Sequence, residues 1–547
     1  MTDEVNNNFI RIDEIALTLD QEESVIEGKI LKILEVRIDD IEKHFIIKRA
    51  VDSRKKDNIL LTYSVGVYLN DPQRFLSKKK QSLRSIKKKT LRHKIRLQAP
   101  YHYEIAKTDI GDEARPVIVG AGPSGLFCAL VLAEAGLKPL LIERGVDVPT
   151  RVRDIKEFFK TGELQLNSNI QFGEGGAGTF SDGKLYTNIK SSRIKYIFEE
   201  FIKAGAPPRI ATDAHPHIGT DRLRPVVINL RKKVIELGGE VRFSTRLTDL
   251  EIKDGKVVAA IFDGQERIVV KRLVLAMGHS GRDTYEMLYK HNLQMKPKSF
   301  AIGVRIEHSR ESIDKAQYGD CACNEKLPTA RYKLVAHLKE NRSVYTFCMC
   351  PGGYVVNSCS EEGMMVVNGM SKFTQKGPNS NSALLVNVLP EDFGSDHPLA
   401  GVQFQRHWEH QAFLAGGSDY KAPAQLVGDF LENKPSTAFK SVESSYEPSV
   451  KLTSLESCLP DFVLKSIKES LPVFDSKIKG FNQKDAVLVG IESRSSAPVR
   501  FTRDESLQSN IQGIYPIGEG AGFAGGIVSS GVDGMKAAES IITALQK

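Results

Sequence analysis

Cys348 and Cys350 stand one residue apart, just ahead of Pro351-Gly352-Gly353, in a stretch otherwise suited to a β-strand. Alternation along a strand points residues i and i+2 to one face, so the two thiols are expected side by side. Three chemistries are open to them. The pair can be a dithiol that exchanges electrons with a bound cofactor, the glycines allowing close approach. Together with Cys321 and Cys323 it can offer four thiolates to a metal ion. Or these are ordinary core residues, as free cysteines usually are. Arg494, within Glu492-Ser493-Arg494-Ser495-Ser496-Ala497-Pro498-Val499-Arg500, is the second candidate. A guanidinium can clamp a carboxylate bidentately or hold negative charge beside a cofactor, and it can equally cap strand carbonyls. His215-Pro216-His217 and His407-Trp408-Glu409-His410 lack the further ligands that would complete a metal site. Tyr354 and Tyr515 are candidate proton donors or plain packing.

Electron transfer needs a cofactor, and the elements that would hold one begin with Val117-Ile118-Val119-Gly120-Ala121-Gly122-Pro123-Ser124-Gly125. An apolar strand runs into a glycine turn that opens an alanine- and leucine-rich helix, and a second strand, Leu140-Leu141-Ile142, ends at Glu143 and Arg144. Gly120 permits the tight turn, Gly122 lets backbone N–H groups approach a pyrophosphate, and Gly125 lets helix and strand pack closely. Glu143 can accept hydrogen bonds from a ribose diol. Residues 171–185 are too glycine-rich for a helix or strand and suit a loop whose amides wrap a ligand, with Gly175, Gly176, Ala177, Gly178, Thr179 and Lys184 as contacts. Val241–Arg246 and the following Leu247–Ile252 suggest a strand pair whose backbone, at Leu247, is placed to meet an adenine, and the strand Leu273-Val274-Leu275 leads to Gly278.

The far end of the chain reads Tyr515-Pro516-Ile517-Gly518-Glu519-Gly520, then Gly525-Gly526-Ile527-Val528 and a helix. It resembles the second FAD-binding motif of two-dinucleotide-binding-domain flavoproteins, most of which carry Asp where this chain has Glu519. The resemblance implies that the acid binds the ribityl chain of FAD. It also implies that the helix N-terminus faces the flavin edge that becomes anionic on reduction.

With 547 residues, two or three domains are expected. No run of 18 apolar residues or signal-like N-terminus is visible, and seven cysteines in so long a chain fit a reducing cytoplasm. The net charge of +8 is concentrated in residues 78–96, which hold ten Lys or Arg and no acid. Such a run can contact nucleic acid or an anionic surface, or be a solvated linker, and it has no aromatics for stacking on single strands.

The pattern suggests an N-terminal ferredoxin-like α/β domain over 1–95, with a strand at Phe9–Leu19, a helix over Glu22–Leu34 and a helical piece at Ile38–Lys43. A Rossmann-like FAD-binding domain of three-layer ββα type follows over 113–300, then an inserted mixed α+β cap domain over 301–480 and the C-terminal FAD-binding part over 481–547. No second GxGxxG follows a strand between 126 and 500, so a dedicated nicotinamide domain is not expected.

Four segments, 173–185, 347–353, 490–500 and 518–526, are similar to those of bacterial FAD-dependent, or NAD(FAD)-utilising, dehydrogenases. The cap organisation resembles that of fumarate reductase and geranylgeranyl reductase. The resemblance implies FAD and the fold. The expected activity is an FAD-dependent oxidoreductase acting on a small organic substrate, with NAD(P)H as a transient donor or a protein electron carrier. The alternative is a flavoprotein that binds or modifies tRNA through the basic run.

Overall fold

The computed structural model describes residues 8–71, 95–108, 114–339 and 341–546. Two compact units divide the chain: residues up to 104 with 207–216 and 317–328, and the remainder.

In the first unit, β1 (Phe9–Thr18), β2 (Ile41–Asp52), β3 (Leu60–Leu69) and β4 (Ile95–Gln98) form an antiparallel sheet in the order β2-β3-β1-β4. That is the strand order of a ferredoxin-like fold. Ile10, Ile12, Ile15 and Leu17 of β1 are buried, a bulge between Ile12 and Ile15 keeping the phase. Helix α1 (Val25–Leu34) buries Ile26, Ile30 and Leu34, four residues apart along one face. The helical piece expected at 38–43 is only a short 3₁₀ turn over Ile38–Asp40, because Ile41 and Lys43 already pair with β3. Most of the basic run, residues 78–94, lies outside the described residues.

The second unit is built on a parallel sheet in the order Ile514–Pro516, Leu273–Leu275, β5 (Val117–Val119), β6 (Leu140–Ile142) and Glu240–Arg242. Apart from the edge strand 240–242, every residue of these strands is buried, so they read as continuous apolar runs. Helix α2 (Pro123–Glu134) is buried on nearly all sides because it is sandwiched between this sheet and the C-terminal helix. The segments 241–246 and 247–252 are not paired with each other. Residues 240–242 join the parallel sheet, the chain turns through Ser244 at φ 53°, and Leu247–Lys253 heads a separate antiparallel meander.

The cap is a seven-stranded sheet in the order Val335–His337, Ser343–Cys350, Asn379–Val388, Phe300–Ser309, Val487–Glu492, Ala422–Leu426 and Val450–Leu452. We label its strands Phe300–Ser309, Ser343–Cys350 and Val487–Glu492 β7, β8 and β9. Placed with the C-terminal flavin segment by the sequence reading, β9 instead pairs with β7 and with Ala422–Leu426 in mid-sheet. The cap therefore runs past 480 to Glu492, and its apolar Val487-Leu488-Val489 is a central cap strand. Helix α3 (Ala400–Gly416) packs beside Ala422–Leu426, and α4 (Ile527–Leu545) closes the chain against α2. Among the described residues no helix is long and apolar enough to cross a membrane.

Candidate functional site

Gly120 ends β5 at φ +106°, and its N–H donates to the Ile142 carbonyl at 2.7 Å. A Cβ at Gly125 would lie 1.9 Å from the Gly120 carbonyl oxygen, so the turn closes onto its helix only with glycine there. Gly122 is the N-cap of α2 and Pro123 its first residue, where a missing N–H costs nothing. The loop after Gly173 comes down on this turn: a Cβ at Gly176 would be 3.1 Å from Gly122 Cα.

Glu143 is buried, and its carboxylate accepts from the Ala121 N–H at 2.8 Å and from the Gly145 and Gly173 N–H groups at 2.9 Å each. Read from sequence as a ribose acceptor, it ties three loop segments together, with one of roughly four acceptor sites left over. Arg144 lies over the Phe172 ring at 4.4 Å and pairs with Asp283. Leu247 is buried at the head of the meander, and Gly278 turns at φ +70° with open space where a side chain would project.

The two motifs meet through backbone contact. A Cβ at Gly534 of α4 would sit 2.0 Å from the Ser124 carbonyl oxygen, and one at Gly518 would sit 2.5 Å from Ser124 Oγ. Gly178 lies between them, its Cβ position 3.1 Å from Ile527 Cγ1 and 3.8 Å from Pro123 Cγ. Gly518 donates its N–H to Asp533 at 2.7 Å, and Asp533 is held by Arg503 at 2.8 and 3.0 Å. Gly526 is the N-cap of α4, followed by buried Ile527 and Val528, and Gly520 sits against Gly278.

Half-buried Glu519 accepts the Gly522 N–H on its backbone carbonyl at 2.9 Å, while its carboxylate has no hydrogen-bond donor among the described residues. Burial pushes its carboxyl up to about 7, Lys298 opposing and the Cys348 charge adding to the rise. A carboxylate held without a donor, beside an open glycine turn, fits a polyhydroxyl chain that would supply the missing O–H groups. The residues present therefore fit FAD.

Two side chains that organise this site gave no signal in the sequence. Arg151, fully buried, donates to the carbonyls of Asn169, Ile170, Glu174 and Gly176 at 2.7–2.9 Å and so shapes the glycine loop. Glu174 takes the Val148 N–H at 2.8 Å and Arg231 at 2.7 Å. Ala177–Phe180 forms a short 3₁₀ turn, with Thr179 Oγ1 donating to the Glu174 carbonyl at 3.2 Å.

The cysteine pair sits at the end of β8, and its proximity does not come from regular alternation. Pairing with Asn379–Val388 slips between Phe347 and Cys350, and Cys348 adopts φ 43°. This bulge turns Cys348 toward Lys184, whose Nζ is 3.7 Å from its Sγ and also donates to the Met349 carbonyl. Cys350 Sγ faces Arg305 Nη2 at 3.8 Å, and Arg305 also donates to the Cys348 carbonyl at 2.7 Å and pairs with Glu492 at 2.6 Å. Asp182 lies 3.8 Å from Lys184. Lys184, read as a cofactor contact, is thus engaged with the thiols and with Asp182.

Arg494 is not a free clamp. Buried, it reaches Glu409 at 3.1 and 2.8 Å, Ser280 at 3.1 Å and Ser360 at 2.5 Å, which occupies four of its five N–H donors. Glu409, on α3, is shared with Arg282 at 2.9 and 2.7 Å. The two guanidiniums outweigh the cost of burial and hold the Glu409 carboxyl well below the usual range. The same cations, with burial foremost, depress nearby His279 to about 3, so it stays neutral.

The four-thiolate metal reading also fails. Among the described residues, Cys321 and Cys323 included, no three His, Cys, Asp or Glu are grouped to hold a metal ion. His407 and His410 are exposed, His410 meeting the Gly363 carbonyl at 3.0 Å, and His217 stacks on Phe373. Tyr515 is packed within the parallel sheet.

A glycine turn, a wrapping loop and an acid-plus-helix brought to one place define an FAD-binding flavoprotein with two nucleotide motifs. Residues 118–173 match the model of an NAD(P)-binding Rossmann-like domain, and 299–495 that of an FAD-dependent protein, C-terminal domain-like. Residues 9–68 match a domain of unknown function. A Clostridium beijerinckii protein described as uncharacterized is 49% identical over 539 residues, spanning 97% of this chain and 98% of that protein. The chain belongs to this family of FAD-dependent proteins. Among solved structures it is similar to a variant of E. coli quinol fumarate reductase (TM-score 0.33, 13% identity, 79% of this chain and 70% of that one). It is also similar to a geranylgeranyl bacteriochlorophyll reductase-like protein from Thermoplasma acidophilum (TM-score 0.35, 11% identity, 79% and 78%). At TM-scores below 0.5 these likenesses carry no argument.

Proposed function

We propose that this protein is an FAD-dependent oxidoreductase that passes electrons between its flavin and a small organic substrate, with NAD(P)H or a protein electron carrier as the other partner. The observation that carries this reading is Glu519, whose carboxylate meets no donor among the described residues, between Gly518 packed on Ser124 of the first nucleotide motif and Gly520 packed on Gly278. FAD, when bound, supplies two-electron chemistry. The chain's residues do the rest. The Gly120–Gly125 turn and the first N–H groups of α2 would hold its pyrophosphate, and Glu519 would take ribityl hydroxyls. The α4 N-terminus, with Gly526 as its cap, would stabilise negative charge on the reduced cofactor. Seven cysteines, none in a disulfide, suit a reducing cytoplasm.

Anaerobic mixing of the FAD-loaded protein with NADH, NADPH or a reduced ferredoxin tests the reading. Bleaching of the flavin by one donor, and its return on adding an unsaturated or carboxylated acceptor, is the expected result. Retention of colour with every donor would show that the flavin is held for structure alone.

A further inference from the structure

Seven cysteines occur in the chain, and their surroundings separate them into kinds. Cys128, Cys359 and Cys458 are buried, and burial pushes each thiol up, Cys359 and Cys458 to about 12. They behave as small core residues. Cys348 and Cys350 do not. Two cations, Lys184 and Arg305, face their sulfurs at 3.7 and 3.8 Å, and the strand bulges to make this possible. A left-handed φ at a side chain with a Cβ is a strained choice, kept where the surroundings demand it. The glycines that follow are committed to the same geometry. A Cβ at Gly353 would meet Cys350 Cβ at 2.9 Å, and one at Gly352 would meet the Gln375 carbonyl oxygen at 1.9 Å.

We propose that Cys348 and Cys350 form a redox-active dithiol that exchanges two electrons with the FAD of this site. This rests on the flavin reading above and goes beyond it by naming the protein's own electron-carrying group. Lys184 holds Cys348 as the thiolate, and Arg305 with the Cys350 thiol orients it. The charges agree with this assignment. Hydrogen bonding from Cys350, with Lys184 and Arg305, draws the Cys348 thiol well below its ordinary value, while Cys350 is pushed above its own. An attacking thiolate beside a protonated partner is the arrangement that thiol–disulfide chemistry uses. Lys184 follows the glycine loop whose Gly176 and Gly178 lie against Gly122, Pro123 and Ile527, so the residue that faces Cys348 is carried by the segment that wraps the cofactor site.

In the step, the Cys348 thiolate and the Cys350 thiol form an Sγ–Sγ bond. The Cys350 S–H bond breaks. The pair gives up two electrons and that one proton, both of which oxidised FAD accepts to become its anionic reduced form. Run in reverse, the Sγ–Sγ bond would take two electrons and one proton and return to the Cys348 thiolate and the Cys350 thiol. The electrons enter or leave through the donor or acceptor of the oxidoreductase reaction.

Two measurements on the intact chain decide the matter. Anaerobic dithionite titration of the FAD-loaded protein, first oxidised with diamide and then freed of it, should consume twice as many electrons per flavin as the Cys350→Ala variant treated alike, because the disulfide and the flavin each take a pair. Cys348→Ser, at the less buried position, should show the same halving and covers the case in which Cys350→Ala fails to fold. Peptide mass spectrometry of wild-type protein, with and without FAD, should show the 343–353 region losing two hydrogens and both alkylation sites after diamide treatment. If both thiols remain alkylatable after diamide, or wild type and variant take up equal electrons, the proposal is overturned. A protein that forms the disulfide but never binds FAD would defeat the flavin reading, and with it the exchange step.

Discussion

Removing the Glu409 carboxylate should loosen the cap more than any other single change in the α3 network. Its Oε1 accepts from Arg282 at 2.7 Å, Arg494 at 3.1 Å and Ser493 at 2.6 Å, and its Oε2 from Arg282 at 2.9 Å and Arg494 at 2.8 Å. Arg282 and Glu409 side chains are 1% and 0% exposed, so no water can replace these bonds. In Glu409→Ala, two buried guanidiniums would share Glu361, which meets Arg282 at 2.5 Å but Arg494 only at 3.8 Å. Breaking a buried pair in this way costs about 3–5 kcal/mol. For a cooperative unit of this size about 1 °C of Tm corresponds to each kcal/mol, so a fall of roughly 3–5 °C is expected. The double variant Glu409→Ala/Arg494→Met removes one stranded charge and leaves Arg282 its bond to Glu361. It should recover about 1–3 kcal/mol relative to the sum of the single changes. Thermal unfolding of the four proteins by circular dichroism reads this cycle. A Glu409→Ala protein within about 1 °C of wild type, or strict additivity, would refute the reasoning. So would an Arg494→Met protein of unchanged Tm with a raised substrate KM, which would restore Arg494 as a substrate clamp.

Gly534→Val places a Cβ 2.0 Å from the Ser124 carbonyl and must push α4 off α2, so folded variant protein should lose FAD, as measured by absorption after gel filtration. Arg151→Met strips donors from four carbonyls of the glycine loop. At about 1–3 kcal/mol for each buried group left unsatisfied, FAD affinity by fluorescence titration should drop at least roughly tenfold, and an unchanged Kd would contradict this. Burial raises Glu519 to about 7 from an unfolded value near ~4.3. A raised carboxyl stabilises the FAD-free fold fully below the unfolded pKa, and that contribution is lost as pH rises through about 7. The Tm of FAD-free wild type should therefore decline more steeply than that of Glu519→Gln between about pH 4 and pH 8, and parallel curves would exclude Glu519 as the cause.

What could be read from the chain was whatever depends on neighbours in sequence. The Gly120–Gly125 turn, its two strands and the Gly518–Gly520 turn are local patterns, and each glycine is demanded by a backbone contact that the structure shows. The parts that were not legible depend on residues far apart. Arg151 serves carbonyls 18 to 25 positions away, and carbonyls leave no trace in residue type. Arg494 invites a ligand role until Glu409 appears 85 positions earlier. The bulge at Cys348 was hidden too, because strand propensity describes regular pairing, and the slip arises between Phe347 and Cys350 against a strand more than thirty residues on. The apolar run of β9 belongs equally well to either sheet until its partners are known.

Flavin stoichiometry tests the central claim most directly. Protein stripped of small molecules and titrated with FAD should take up one equivalent per chain, gain the visible absorption of a bound oxidised flavin, and lose this uptake in Gly534→Val. A folded wild-type chain that stays colourless in excess FAD would contradict the account.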